Sequence, residues 1–251
     1  MKRKISIQIL TKNAENTLHA TLQSVVEFPE VILLDTGSTD TTLSIATKFS
    51  NVRVYCVEFK GFGLLHNEAA ALASYDWILS IDSDEQLSTE LKQEILNLSL
   101  ENERSVYSMR RNNFFNKKRI RCCSGWHPDW VVRLYHRKKT KFSDDLVHEK
   151  ILTEGMHLVS LRASLEHYPY NSISDFLNKM EKYSSLFAHQ YRNTKRSSLS
   201  IALLHSLAAF FKNYILKRGI FGGKEGFIIS LYNAQMTYYK YIKLAELNES
   251  F

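Results

Sequence analysis

The chain has 251 residues, 44% of them hydrophobic, and a formal net charge of +7. That length allows one large domain, or one domain with an extension, and the apolar content is ample for a core. The three cysteines, Cys56, Cys122 and Cys123, include an adjacent pair and match no zinc spacing, which excludes a metal-stapled fold and reads as reduced thiols.

Residues 4–10 alternate and are apolar, predicting a first strand, and Met-Lys-Arg-Lys leads straight into it with no signal-peptide pattern. Leu18, Leu22, Val25 and Val26 recur at helical spacing over 14–26, with Asn13 as the expected N-cap. A second strand over 31–34 ends in Asp35-Thr-Gly-Ser-Thr-Asp40. A helix over 42–49, a strand over 52–57, an Ala-rich helix over 64–74 and a strand over 75–81 follow. Strands alternating with helices predict a parallel sheet with helical crossovers.

In such sheets ligands bind beyond the carboxyl ends of the strands. Asp82 and Asp84 stand there, two residues apart. They repel one another unless a cation lies between them, and Mg²⁺ or Mn²⁺ carrying a diphosphate suits that place. The same pattern also occurs in ordinary acidic turns. Neither Gly-x-Gly-x-x-Gly after the first strand nor Gly-x-x-x-x-Gly-Lys-Ser/Thr is present, which excludes the dinucleotide and P-loop signatures. Asp35 suits a uracil or ribose edge, although its neighbours are all turn and cap formers.

In the second half, strands are expected over 106–113, 119–124, 131–136 and 156–165, as antiparallel additions to the sheet. Between them lies Asp144-Asp-Leu-Val-His-Glu149, whose carboxylates are candidates for a general base. His148 opens no His-Glu-x-x-His motif, because Leu152 holds the last position, so a zinc protease is excluded. His148 reads either as a third metal ligand or as structural. Trp126, His127 and Trp130 read as a sugar platform or as core. Arg133 suits a diphosphate or a catalytic carboxylate.

Four ordered blocks carry a resemblance: Ile9-Leu-Thr-Lys-Asn-Ala-Glu15, Val31-Ile-Leu-Leu-Asp-Thr-Gly-Ser-Thr-Asp-Thr41, Phe62-Gly-Leu-Leu-His-Asn-Glu-Ala69 and Asp76-Trp-Ile-Leu-Ser-Ile-Asp-Ser-Asp-Glu85. They are similar to those of family 2 inverting glycosyltransferases with the GT-A fold. Trp126-His-Pro-Asp-Trp-Val-Val-Arg-Leu-Tyr135 and Leu146-Val-His-Glu149 resemble the bacterial β-1,4-glucosyltransferase group that acts on inner-core heptose of lipopolysaccharide. Ser83 departs from a common Ala, and His66 from a longer polar or basic side chain.

The resemblance implies a GT-A domain over residues 1–170, with a nucleotide-sugar half (1–103) and an acceptor and catalytic half (104–170). It implies UDP-glucose as donor, with Thr11, Glu15 and Asp35 at the nucleoside and Lys60 and Asn67 at the uracil or diphosphate. Asp82, Ser83 and Asp84 fall at the ribose and a Mn²⁺ or Mg²⁺ ion, Arg133 at the diphosphate. Glu149 is implied as the base, with Asp144 and Asp145 as rivals. A nucleotidyl- or phospho-sugar transferase, or a non-catalytic sugar-nucleotide-binding protein, are the alternatives.

Charge is uneven: residues 1–103 carry a net −7, 104–141 a net +11, 142–170 a net −3 and 171–251 a net +6. The basic stretch implies a polyanionic partner. No helix-turn-helix, RRM, KH or zinc-finger pattern accompanies it, so a phosphorylated glycan at a membrane is the expected partner rather than nucleic acid. Residues 171–251 form a helical, basic and aromatic extension. Helices are expected over 173–187, 199–216 and 227–247, packed on the sheet, at an oligomer interface, or lying on anionic lipid. No apolar run is expected to reach the roughly 18–20 residues that span a bilayer. The expected location is cytoplasmic, peripheral on the inner face of the inner membrane.

Overall fold

The computed structural model describes residues 4–144, 149–170 and 172–248. The chain forms two compact units, Met1–Arg111 with Trp130–Tyr168, and Asn112–Asp129 with Pro169–Phe251. Residues 112–129, read from sequence with the catalytic half, therefore group with the C-terminal helices.

The first unit is built on a mixed sheet. Strands β1 (Ile5–Thr11), β2 (Glu30–Asp35), β3 (Val52–Cys56) and β4 (Trp77–Asp82) are parallel, in the order β3-β2-β1-β4. The order continues through β8 (Trp130–His136), β6 (Ser105–Phe115), β9 (His157–Tyr170) and β5 (Glu85–Leu87). β8 runs antiparallel to β4, with Ile78 opposite Tyr135. The apolar runs of the central strands are buried on both faces. Ile5, Ile7, Ile9, Leu33 and Leu79 pack on one side with Leu18 and Leu22 of α1 (Leu18–Ser24). Ile32, Leu34 and Ile78 pack on the other with Leu65 and Ala69 of α3 (Phe62–Leu72). Each of these leucines and isoleucines, fully buried, contributes roughly 1.5–3 kcal/mol. Between β2 and β3 lies α2 (Thr42–Ala46).

Three features of this unit differ from the sequence reading. Helix α1 begins at Leu18, because Asn13 takes a left-handed φ of 51° and serves the next loop instead of capping the helix. Residues 85–96, given no structure above, form β5 and α4 (Thr89–Leu96), which Ser88 caps by accepting from the Leu91 amide at 3.1 Å. The strand expected over 156–165 extends to Tyr170.

In the second unit, the end of β6 turns back into β7 (Lys118–Arg119) through Asn116 and Lys117, both at positive φ, as two-residue hairpin loops require. The strand expected over 119–124 stops at Arg119. Cys123 and Gly125 adopt φ of 68° and 79°, which a strand does not accommodate. Three helices follow: α5 (Ile173–Tyr191), α6 (Leu199–Phe211) and α7 (Gly223–Leu247). Phe115, Trp126, Phe176, Ile229 and Tyr232 form this unit's core. The turn before α7 packs so closely that a Cβ on Gly226 would lie 2.0 Å from the Gly219 carbonyl oxygen.

One expectation about this unit is corrected. Helix α6 continues through a π-turned segment, Lys212–Leu216. The run Leu199–Leu216 is therefore 18 residues long and, by length and composition alone, apolar enough to cross a membrane; only 11% of it is buried. The nearly apolar run ends at Phe211; Lys212 and Asn213 follow within the expected helix, before Ile215 and Leu216.

Candidate active site

The carboxyl ends of β1, β2 and β4 carry Thr11, Asp35 and Asp82. Thr11 is buried opposite Asp35 in the β1–β2 register, and its Oγ1 has no hydrogen-bond partner among the described residues. Asp35 uses both carboxylate oxygens on its own turn. Oδ2 accepts from the Gly37 and Ser38 amides at 3.0 and 2.9 Å, and Oδ1 accepts from the Ser38 hydroxyl. Glu15 accepts from the Thr41 amide and hydroxyl at 3.2 and 2.8 Å, while Asn13 Oδ1 accepts from the Thr39 amide at 2.8 Å. Glu15 and Asp35 thus fix the two loops that flank Thr11.

The Asp82-Ser83-Asp84-Glu85 turn is held on every side. The carbonyl of Ser83 accepts from the Thr21 hydroxyl at 3.0 Å, and that of Asp84 from the Tyr168 amide at 2.9 Å. Glu85 is fully buried. Its Oε2 accepts from the Asp82 amide at 2.9 Å, and its Oε1 lies 2.9 Å from Arg111 Nη1 and 2.6 Å from Arg133 Nη2. Arg133 Nη2 also donates to Asp82 Oδ2 at 2.6 Å. Burial alone would raise the Asp82 carboxyl, but Arg133, helped by Arg111, outweighs it and holds Asp82 well below the usual carboxylate range. Arg133 remains charged because Asp82 and Glu85 more than offset the cost of its burial. The sequence reading offered Arg133 a diphosphate or a catalytic carboxylate; the structure places it on these two acids. Asp84 faces His167, with Oδ1 3.5 Å from Nε2.

Glu149 stands beside a buried histidine. His66, on α3, stacks on Phe142 at 4.2 Å between ring centroids. Its Nδ1 lies 3.3 Å from Gln8 Nε2 and 3.4 Å from Ser80 Oγ. Its other ring nitrogen, Nε2, lies 3.9 Å from Glu149 Oε1. Burial lowers the His66 pKa to about 4, so the ring is neutral at physiological pH, although Asp82 pulls the other way. Asn67, expected at the uracil or diphosphate, spends both amide atoms on the Phe142 backbone. It donates to the Phe142 carbonyl at 3.0 Å and accepts from the Phe142 amide at 2.9 Å. Lys60 pairs with Glu68 at 2.5 Å.

Asp144 is exposed and pairs with Lys141 at 3.4 Å. Asp145 and His148 lie outside the described residues. Trp126 is core of the second unit, stacked on Tyr170 and Phe176, whereas Trp130 is 53% exposed. His66, Glu85 and Arg111 were missed as site residues. Arg111 read as part of a basic run, and nothing local announces that it turns onto Glu85. The signal for His66 was a polar residue on the buried face of an Ala-rich helix.

Among the described residues, no group of three His, Cys, Asp or Glu side chains forms a metal cage. A hard divalent ion needs only one or two protein carboxylates when substrate phosphates complete its shell. Asp84 and the outer part of Asp82, whose side chain is 40% exposed, fit that requirement.

The sequence model of Glycosyl transferase family 2 matches residues 6–160. The chain belongs to this family. An uncharacterized glycosyltransferase of Rickettsia bellii is 28% identical over 99% of this chain and 88% of its own length. The lipopolysaccharide core biosynthesis glycosyltransferase LpsC of Rhizobium meliloti is 24% identical over 93% of this chain and 88% of its own. The solved structure of S. aureus TarS 1–349 in complex with UDP-GlcNAc superposes with a TM-score of 0.51 at 15% identity, covering 99% of this chain and 91% of that one. The fold is GT-A-like, a mixed sheet followed by a helical part, and the protein is a glycosyltransferase.

Proposed function

We propose that this glycosyltransferase moves glucose from UDP-glucose, with inversion, onto a heptose of the lipopolysaccharide inner core. The observation that carries the chemistry is the place of His66: its ring lies 3.4 Å from Ser80 Oγ, two residues before Asp82 on β4, and 3.9 Å from Glu149 Oε1. The acidic turn and the carboxylate proposed as base therefore share one site. The lipopolysaccharide acceptor is supported by the likeness to LpsC, and a UDP-sugar donor by the likeness to a fold solved with UDP-GlcNAc.

In this reading the sugar nucleotide lies beyond the ends of β1, β2 and β4. Thr11, buried between the loops that Glu15 and Asp35 fix, backs the nucleoside end of the site. Glu149 accepts the proton of the acceptor hydroxyl. That oxygen bonds to the anomeric carbon as the bond to the UDP oxygen breaks on the opposite face, so an α-linked donor gives a β product. A general base of this kind contributes roughly 10²–10⁴ in rate. His66, packed between Phe142 and the Glu149 carboxylate, positions that wall of the site. Asp84, with Asp82, would hold Mn²⁺ or Mg²⁺, which neutralises charge on the leaving diphosphate when bound. Arg111 and Arg133 keep Asp82 ionised and fixed. The site of action is the cytoplasmic face of the inner membrane.

Thermal stability with 1 mM UDP-glucose, UDP-galactose, UDP-N-acetylglucosamine, GDP-mannose or ADP-heptose, each with Mn²⁺ and with chelator, tests the donor. A ligand at about 100 times its dissociation constant adds about 2.7 kcal/mol. A metal-dependent shift is expected with UDP-glucose. A shift with another nucleotide sugar alone contradicts the donor, and an equal shift under chelator contradicts the ion.

A further inference from the structure

The second unit carries an apolar face and a cationic cavity that the transfer reaction does not use. Helix α6 packs on α7 through one side. Ala202 is buried, Ser206 Oγ donates to the Ala234 carbonyl at 2.9 Å, and Asn233 Nδ2 donates to Asn213 Oδ1 at 3.1 Å. At 100° per residue, Leu203, Leu204, Leu207, Phe211 and Ile215 fall on the opposite side, and they are 49–68% exposed. Where the helix turns toward α7, Leu216 and Phe221 are 76% and 85% exposed. Single exposed leucines need no explanation; a continuous stripe of them does. The cations Lys212, Lys217, Arg218 and Lys224 are exposed along the same segment, and no acidic residue occurs between Leu199 and Lys224.

Beside Phe221 lies a cavity of about 640 Å³ lined by Lys118, Arg119, Arg121, Cys122 and Arg218. Lys118 also reaches Glu225 Oε2 at 2.8 Å and the Gly222 carbonyl at 3.4 Å, so one carboxylate tempers the site. Arg121 and Arg218 are exposed at its rim. A Cβ on Gly222 would meet Cys122 Sγ at 2.6 Å, so this wall is close-packed.

We propose that this surface docks the protein on an anionic lipid bilayer, with the α6 stripe and Phe221 in the acyl boundary and a headgroup phosphate in the cavity. The proposal names the surface behind the membrane location given above and stands apart from the transfer chemistry. Helix α6 lies in the membrane plane rather than across it, because its other side is committed to polar contacts with α7 and a spanning pose would immerse Lys212 and Asn213. A second copy of the chain is a poorer occupant. A two-fold contact over this face would bring the same cations toward one another.

Co-sedimentation of the full chain with phosphatidylcholine vesicles, and with vesicles containing about a third phosphatidylglycerol, tests this. Binding to the anionic vesicles is expected to be tenfold or more the stronger, and to weaken with salt. Leu207→Glu with Phe211→Glu, and separately Arg121→Glu with Arg218→Asn, should each lower partition about tenfold. Asn suits the left-handed φ of 59° at residue 218. Circular dichroism and UDP-glucose binding in solution should be unchanged in both, so a failure here leaves the transfer reading intact. The wild-type comparison of the two vesicle types needs no variant. Equal binding to both vesicles, or none, overturns the proposal. So does a lipid-free dimer that Leu207→Glu with Phe211→Glu dissolves, or an arginine variant that loses only inorganic phosphate binding.

Discussion

The two units use their cations in opposite ways, although both draw on the same basic stretch of sequence. In the first unit Arg111 and Arg133 turn inward onto Asp82 and Glu85. Arg137 bonds Asp76 at 3.0 Å and the Ala70 and Ala73 carbonyls at 2.7 Å each. In the second unit Arg121 and Arg218 stand exposed around a cavity. A net charge of +11 over residues 104–141 therefore overstates what a polyanion would meet. Inward arginines preset the ionisation of a site; outward ones remain available to a partner.

The contrast can be broken most severely at Arg133. Arg133→Met leaves the fully buried Glu85 short of a countercharge, and removing one partner of a buried pair costs about 3–5 kcal/mol. Urea unfolding followed by circular dichroism should show that loss; a change under about 1 kcal/mol would mean the cluster does not hold the acidic turn.

His66 offers a pH test. Its folded pKa of about 4 lies below the ordinary value of 6.5, so in that window the unfolded chain binds a proton that the folded chain refuses. Stability from this residue is complete above pH 6.5 and falls as pH drops toward about 4, at up to about 1.4 kcal/mol per pH unit. The difference in stability between wild type and His66→Phe should carry that slope. A flat difference would mean the ring is charged in the folded state.

Below that window the carboxylates take over. Glu30, at the opposite end of β2, is buried, which would raise its pKa, yet bonds from Ser6 and Ser74 and the charge of Arg53 hold it below 4.5. Its contribution is present above pH 4.5 and is lost as pH falls through the lowered folded value. Acid unfolding of Glu30→Gln should accordingly be less steep there than that of wild type.

The smallest effect belongs to the exposed pair of Lys138 and Asp76, 2.7 Å apart. Lys138→Ala should change stability by less than about 1 kcal/mol. A larger loss would erase the distinction between inward and surface cations.

Strands β1 to β4 and the acidic loops after β2 and β4 were legible in the sequence, because doubly buried parallel strands announce themselves as apolar runs with polar punctuation. What was not legible depends on distant partners. Asp35 bonds amides two and three residues on, which its turn-forming neighbours foreshadow, but Glu85 meets arginines 26 and 48 positions away. Residues 119–124 looked like a strand by composition, yet positive φ at Cys123 overrides β-propensity. The helix over 199–216 was legible, but its apolar span was undercounted because Lys212 and Asn213 interrupt the apolar run without lowering its mean hydropathy enough to exclude a membrane-crossing length.

The central claim is that Glu149 is the base of a glucosyl transfer within the site that His66 and Asp82 share. Transfer from radiolabelled UDP-glucose to a deacylated inner-core acceptor, compared for wild type and Glu149→Gln alongside calorimetric UDP-glucose binding, tests it most directly. The account predicts a turnover lower by roughly 10²–10⁴ in the variant with nucleotide affinity within about twofold. Turnover preserved in Glu149→Gln would contradict it.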